Sequence, residues 1–189
     1  FDPADFLEVT KIDVQQGLDK LRRIAASLTN NYLRELLELF LNDEEFTAEF
    51  KQAPGGKLWH HNRLGGLLEH TLGVLRLCRM MSRFYPEPDG ELLVAGAILH
   101  DIGKIEEFKY KLSFDYTDRG RLVGHIVLGA EWVTERSRQV EGFPADLLDQ
   151  MSLLKVVDEV RPHEFYNLAA MSFVPASWDQ PMLTGEFNA

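Results

Sequence analysis

The chain has 189 residues, of which 45% are hydrophobic, so it is long enough for one domain with a sizeable core and too short for two full ones. Its formal net charge is -10, which excludes a chain-wide basic surface that grips nucleic acid through counterion release. The charge does not exclude an enzyme that admits a strand end into a metal-lined pocket, because bound cations supply local positive charge there.

The first third of the chain predicts three helices behind an extended lead-in over residues 1–10. Apolar residues recur at three- and four-residue steps over residues 12–28, and a second apolar stretch covers residues 32–41. Asp43 can cap a third, short helix that carries Phe46 and Phe50. We therefore take residues 1–52 as N-terminal helices that pack on the domain that follows.

Two more helices are predicted before the middle of the chain. The pattern over residues 64–84 is helical and ends at Pro86 and Pro88, which cannot continue a helix. Asp89 can cap the next helix, whose apolar run over residues 92–99 leads directly to His100.

The periodicity changes after residue 106. Apolar and polar side chains alternate over residues 108–116, which predicts a strand, and Asp118-Arg119-Gly120 predicts a turn, so we expect a small β-hairpin. Residues 126–140 and 145–160 return to a helical pattern, and residues 172–189 have the composition of an irregular tail. The predicted fold class is all-α with one hairpin.

The single cysteine, Cys78, cannot form an intramolecular disulfide, which predicts a reducing compartment and hence a cytoplasmic protein. Its apolar neighbours favour a buried side chain over a reactive thiol. No apolar run approaches the roughly 20 residues that span a bilayer, so we expect no membrane partner. Because the chain begins with Phe1, we expect a leading part of the native polypeptide to lie outside it.

Three separate segments each carry a histidine near a helix end. His100-Asp101 follows the apolar helix and offers an imidazole and a carboxylate at a fixed place, which suits a metal site. Taken alone, such a dipeptide is more often a structural cap. His70 and His125 stand near the starts of two other predicted helices, and these separations are too long for one element, so the residues can meet only in the fold.

The order His70, His100-Asp101 with Gly103-Lys104, and Gly124-His125 resembles the HD superfamily of metal-dependent phosphohydrolases. More narrowly, residues 59–71 (WHHNRLGGLLEHT) and 95–107 (AGAILHDIGKIEE) resemble the YhaM-type 3′→5′ exoribonucleases. The resemblance implies an HD-type helical bundle over residues 53–171, with the hairpin near the metal site and an atypical C-terminal part.

The resemblance also implies the ligands. His70, His100 and Asp101 match the ligands of the primary metal, Asp101 would bridge to a second ion, and His125 matches a ligand of that ion. Imidazoles and carboxylates together hold divalent cations without thiolates, so we expect one or two ions, Mn²⁺ first, with Fe, Mg, Zn, Co and Ni as alternatives. The expected chemistry is phosphoester hydrolysis by metal-activated water, with Asp101 and Lys104 as the catalytic residues.

Residues around the ligands are candidates for substrate binding. Lys104 lies where its ammonium can reach a bound phosphate, although a solvated lysine near a helix end is an equal alternative. The resemblance favours substrate contact for His61 and Arg63, and Trp59 could stack on a base. Gly65-Gly66 favours close helix packing over a phosphate cradle, because no strand precedes it and the Walker pattern is absent.

The C-terminal part departs from the family pattern. Members carry an adjacent histidine pair after the His125 position and a later aspartate that completes the primary metal set. Here Asp158-Glu159 lie about where the pair would fall. These two residues could replace the imidazoles, Asp158 could be the closing aspartate, or a native segment could be missing. Asp158 is the fifth candidate ligand, and His163 is a weaker one.

The sequence thus predicts a metal-dependent phosphodiesterase that acts as a 3′→5′ exonuclease on single-stranded RNA or DNA. The alternatives are a small-nucleotide phosphohydrolase and a non-catalytic HD binding module with a degraded site. The resemblance also implies a preceding OB-fold domain, which we expect to lie outside this chain. The sequence leaves the metal, the choice of nucleic acid and a homo-oligomer open.

Overall fold

A computed structural model describes residues 3–57, 61–85, 89–110, 112–145 and 147. Three capped helices form its N-terminal part: α1 (Val14–Ala26), α2 (Asn31–Leu41) and α3 (Glu44–Phe50), after a single 3-10 turn at Pro3–Asp5. In each helix the preceding side chain accepts the backbone N–H three residues later; the caps are Asp13, Asn30 and Asp43. These caps start each helix because they satisfy N–H groups that have no partner within it.

Two helices position the first site residues, His70 and His100, whose side chains are about one-third exposed at the edge of the core. Helix α4 (Gly66–Phe84) packs along α5 (Gly90–Leu99), and α5 also contacts α2. Asp89 caps α5 with its side chain, as predicted. Helix α5 is apolar on all sides and largely buried, so its C-terminal end delivers His100 to a fixed position. The half-buried Cys78 of α4 has a thiol pKa that burial raises, which fits an unreactive side chain.

The second half of the described chain contains α6 (Lys104–Glu107), β1 (Phe108–Tyr110), β2 (Phe114–Tyr116), α7 (Asp118–Val123) and α8 (His125–Ser137). The two strands pair antiparallel, with Phe108 opposite Tyr116. The prediction of an all-α fold with a small hairpin is confirmed. The single strand predicted over residues 108–116 is instead the two paired strands of the hairpin. The predicted turn at residues 118–120 is wrong, because Thr117 accepts the N–H of Gly120 at 2.8 Å and starts α7 there.

Two glycines allow close backbone contacts around the ends of α4 and α6. A Cβ on Gly66 would lie 2.0 Å from the carbonyl oxygen of His61, and one on Gly103 would lie 2.1 Å from that of His125. Neither position accepts a side chain without a backbone shift. The contact at Gly66 agrees with the close-packing interpretation of the glycine pair.

All described residues belong to one compact unit. The domain limits predicted at residues 52/53 and 171/172 stay predictions, and the tail over residues 172–189 lies outside the described residues. Among the described residues, no helix has the length and apolar character needed to cross a membrane.

Candidate metal centre

The ends of three helices meet around the carboxylate of Asp101. His70 lies in the second turn of α4, and His100 and Asp101 follow the last residue of α5. His125 is the first residue of α8, and its ring faces the same carboxylate. The fold therefore brings together four predicted ligands that are far apart in sequence.

Three of these residues form a nearly equilateral triangle of donor atoms. His70 Nε2 lies 3.2 Å from His100 Nε2, and Asp101 Oδ2 lies 3.3 and 3.2 Å from these two nitrogens. Ligands of one cation at bond lengths of about 2.1 Å are about 3.0 Å apart at octahedral angles and about 3.4 Å apart at tetrahedral angles. The triangle therefore has the dimensions of three ligands on one face of a divalent cation.

The orientation of His100 suits metal binding. Its Nδ1 lies 3.0 Å from the carbonyl oxygen of Ala97, one turn earlier. A carbonyl can only accept a hydrogen bond, so Nδ1 carries the proton and the lone pair of the neutral ring is on Nε2. That lone pair points at the centre of the triangle, and a cation there would satisfy it together with the carboxylate oxygen.

Asp101 is buried, with 6% of its surface exposed. Burial alone would raise its pKa, but hydrogen bonds from the rings of His100 and His70 when these are protonated, together with the charge of Lys104, hold the pKa well below its usual range. Lys104 donates to Asp101 Oδ2 at 2.7 Å and to the carbonyl oxygen of Gly55 at 2.8 Å. Two of the three hydrogens of the Lys104 ammonium are thus assigned, which makes it part of the centre and not a freely solvated lysine.

The other oxygen of Asp101 faces His125. His125 Nε2 lies 3.5 Å from Asp101 Oδ1 and outside the triangle. On the opposite edge of the ring, Nδ1 lies 2.9 Å from Oε1 of Glu107, which also accepts the backbone N–H of His125 at 3.2 Å. The sequence did not single out Glu107, because nothing in the pair Glu106-Glu107 shows which carboxylate is buried.

A short loop before α4 lies beside the triangle. His61 has a positive φ of 56°, which is uncommon for a residue with a side chain, and its ring centroid is 5.3 Å from that of His70. Burial lowers the pKa of His61, which makes the ring neutral near pH 7. Glu69 lies 3.8 Å from His61 Nδ1 and 3.9 Å from Arg63 Nε, and it accepts a hydrogen bond from Thr10 at 2.6 Å.

The loop leaves polar atoms without partners. Within the described part of the chain, the buried atoms His61 Nδ1 and Arg63 Nε have no hydrogen-bond partner. Such atoms are costly unless a ligand or water pairs with them. Both residues were predicted to contact substrate, and both lie next to the metal ligand His70.

The remaining sequence candidates cannot be placed. Asp158, Glu159 and His163 lie outside the described residues, as does Trp59. Within the described residues, the cluster of donors that could hold one ion consists of His70, His100 and Asp101. The role of Asp158 as a closing ligand stays a prediction.

Comparison with known families agrees with this geometry. The model of the HD domain family matches residues 67–167, a range that includes His70, His100, Asp101, Lys104 and His125. The chain belongs to the HD domain family. This membership supports a hydrolase of the HD type, and the triangle is the part of this HD domain that could bind a divalent cation.

Several curated relatives of this HD domain carry the name 3′-5′ exoribonuclease YhaM. The protein of Bacillus subtilis (strain 168) is 33% identical over 142 residues, which cover 75% of this chain and 44% of the relative. The protein of Bacillus velezensis is 31% identical over 151 residues, which cover 80% of this chain and 46% of the relative. The protein of Listeria welshimeri is 31% identical over 132 residues, which cover 70% of this chain and 42% of the relative. The chain thus spans less than half the length of these relatives, and no solved structure matches it.

Proposed function

We propose that this HD domain is a metal-dependent phosphodiesterase that removes nucleotides from the 3′ end of single-stranded RNA or DNA. The observation that carries the proposal is the triangle of His70, His100 and Asp101, with His125 on the second carboxylate oxygen. The relatives named as 3′-5′ exoribonucleases support a polymeric substrate and the direction of attack.

The proposed cofactor is one or two divalent ions, with Mn²⁺ as the first choice. When bound, these ions supply a hydroxide near neutral pH and neutralise charge on the phosphoryl oxygens. The protein holds the donors ready: Ala97 fixes the tautomer of His100, and Lys104 fixes the carboxylate of Asp101. Asp158 is proposed as a further ligand.

Three residues are proposed to bind the substrate. His61 and Arg63 lie beside the metal ligand His70 with side chains that are 30% and 32% exposed, so the open part of each could meet phosphate or ribose oxygens. Lys104 has one ammonium hydrogen left after Asp101 and Gly55, and it can point that hydrogen at a phosphate next to the metal. The net charge of -10 then need not oppose binding, because the strand end meets local cations.

The partners and location also belong to this proposal. We propose that a preceding OB-fold domain outside this chain grips the strand, so the isolated chain should be weakly processive. A cytoplasmic location and a homo-oligomeric state stay predictions.

The test is degradation of a 5′-labelled single-stranded RNA in Mn²⁺ by the chain and by Asp101→Asn. We expect a ladder that shortens from the 3′ end, that a blocked 3′ end prevents, and that the variant loses. The matched control is Asp115→Asn, which changes a partly exposed carboxylate on β2, outside the triangle. Hydrolysis of mononucleotides alone would make the chain a small-nucleotide phosphohydrolase, and metal binding without hydrolysis of either would make it a binding module.

A further inference from the structure

Glu107 is a buried carboxylate directed at a single residue. It is the last residue of α6, and only 6% of its surface is exposed. Its Oε1 accepts both the Nδ1–H and the backbone N–H of His125, at 2.9 and 3.2 Å. Burying a carboxylate costs free energy that packing alone does not offset, and here the hydrogen bonds to His125 compensate for it. The pairing of Glu107 with His125 is therefore a specific feature of this site.

The pairing fixes what His125 presents to Asp101. Glu107 Oε1 accepts the backbone N–H of His125 and lies at hydrogen-bond distance from Nδ1 of the ring. The same oxygen accepts in both contacts, so the ring carries its proton on Nδ1. The lone pair is then on Nε2, which lies 3.5 Å from Asp101 Oδ1. Two donors at this separation can share one cation. Glu107 thus does for His125 what the Ala97 carbonyl does for His100.

Glu107 itself is held in place by the backbone. Its N–H donates to the Gly103 carbonyl at 3.0 Å, and its carbonyl accepts the N–H of Thr117 at 2.9 Å. A Cβ on Gly120 would lie 2.3 Å from the same carbonyl oxygen, so α7 packs against it without any space for a side chain. The backbone of Glu107 is thus fixed by contacts that do not involve His125, so its carboxylate can orient the His125 ring.

We infer that Glu107 is a positioning residue that orients His125 to bind a second divalent ion together with Oδ1 of Asp101. The inference rests on the proposed function in that the centre holds metal, but it does not require RNA as the substrate. A carboxylate at this position also makes the imidazole a better ligand than a neutral acceptor would.

The rival role is structural, because Glu107 also caps the start of α8 through the His125 N–H. Glu107→Gln separates the two roles, since its amide oxygen can still accept both hydrogen bonds while the charge is lost. Glu107→Ala removes the acceptor entirely. Glu106→Gln is the matched control, because the neighbouring carboxylate is less buried and pairs with Arg119.

The first measurement is the tautomer of His125 in the metal-free full chain, from the ring ¹⁵N shifts of histidine-labelled protein assigned with His125→Ala. We expect Nδ1–H in the unmodified chain, in Glu107→Gln and in Glu106→Gln. In Glu107→Ala the signal should move towards the Nε2–H form. A merely structural cap would not change this signal, so an unchanged tautomer in a folded Glu107→Ala would overturn the inference.

The second measurement is calorimetric titration with Mn²⁺. We expect the unmodified chain to bind two ions. Compared with the unmodified chain, the weaker ion should bind about 10-fold less tightly to Glu107→Gln and about 100-fold less tightly to Glu107→Ala. In both Glu107 variants, the tighter ion should bind with the same affinity as it does in Glu106→Gln. If Glu107→Ala does not fold, Glu107→Gln decides, and equal affinities for the weaker ion in the Gln variant and the control would overturn the inference.

The outcome separates this inference from the proposed function. Two bound Mn²⁺ ions without degradation of RNA would contradict the exonuclease and leave the role of Glu107 standing. A single bound Mn²⁺ ion with normal degradation would leave the exonuclease standing and overturn the role of Glu107.

Discussion

The two oxygens of Asp101 have different surroundings. Oδ2 lies within 3.3 Å of His70, His100 and Lys104, whereas Oδ1 has His125 at 3.5 Å. Two of the three Oδ2 partners come from the same stretch of chain as Asp101, at the end of α5 and the start of α6. The Oδ1 side depends on α8, which reaches the site through long-range contacts to Glu107 and Gly103. We therefore expect the arrangement of ligands around Oδ2 to tolerate small changes elsewhere in the fold. The position of His125 next to Oδ1 should depend on how α6 and α8 pack.

Removal of one ligand from each side should have the largest effect. His100→Ala takes one corner from the triangle, so Mn²⁺ should bind more than about 100-fold less tightly, beyond the loss expected for a residue that only supports a ligand. His125→Ala should leave the tighter ion in place. Calorimetric titration of both variants, with Asp115→Asn as the control, checks this difference. Equal losses of the tighter ion in both variants would show that the two sides form one indivisible site.

The packing that supports the Oδ1 side can be broken without any ligand being changed. An alanine at Gly103 would place its Cβ 2.1 Å from the carbonyl of His125 and 2.7 Å from the N–H nitrogen of Gly129. We expect Gly103→Ala to lower the free energy of unfolding by about 3 kcal/mol, since backbone atoms cannot move aside cheaply.

Gly73→Ala is the matched control for this change. Gly73 lies within α4, and nothing lies within 4 Å of a Cβ at this position. This variant should gain about 0.5–1 kcal/mol from helix propensity. Urea denaturation of both variants measures the difference. A Gly103→Ala chain as stable as the unmodified one would show that the contact between α6 and α8 is not rigid.

Part of this architecture could be predicted from the sequence. The cap residues Asp43 and Asp89 started helices where expected, because an N-cap acts locally. The candidate ligands were found by their order along the chain, which a family resemblance preserves. The turn expected at residues 118–120 was wrong, because Thr117 caps the short helix α7 there, and α7 also packs closely against the backbone of Glu107.

The supporting contacts of the site could not be predicted. Gly55 holds Lys104 through a backbone carbonyl, which has no sequence signal. Glu107 differs from Glu106 only in the direction of its side chain, and α6 is a single turn with no periodicity to reveal that direction. A sequence shows which residues could bind a metal, but their orientation comes from tertiary contacts.

Lys104 tests whether the Oδ2 side also binds substrate. Lys104→Met removes the charge beside Asp101 and keeps most of the side-chain volume. We expect the KM for RNA to rise about 10-fold, as for a lost hydrogen bond to a charged group. The affinity for the tighter Mn²⁺ should not fall, because a repelling cation is removed. Steady-state kinetics and metal titration, with the exposed Lys109→Met as the control, check this. A larger loss of metal affinity than of RNA affinity would limit Lys104 to positioning Asp101.

The dependence of the unfolding free energy on acid pH should distinguish the buried carboxylate of Asp101 from a partly exposed one. The folded pKa of Asp101 is held well below the value of about 3.9 for an unfolded chain, so its contribution to stability is complete above that value and is lost as the pH falls towards the folded pKa. In the metal-free chain, Asp101→Asn should flatten the fall in unfolding free energy below about pH 4 by at most about 1.4 kcal/mol per pH unit.

Asp115, whose side chain is 35% exposed, is the counterpart in this experiment. A hydrogen bond from Lys57, with smaller contributions from the Tyr116 N–H and Arg121, lowers the pKa of Asp115 to about 2. Because Asp115 and its partners lie at the surface, salt should screen this interaction, and Asp115→Asn should lose its effect on the acid slope in concentrated salt. The effect of Asp101→Asn should persist there. Urea denaturation across pH at low and high salt measures both, and a salt-sensitive Asp101 would mean that the centre is open to solvent on its Oδ2 side.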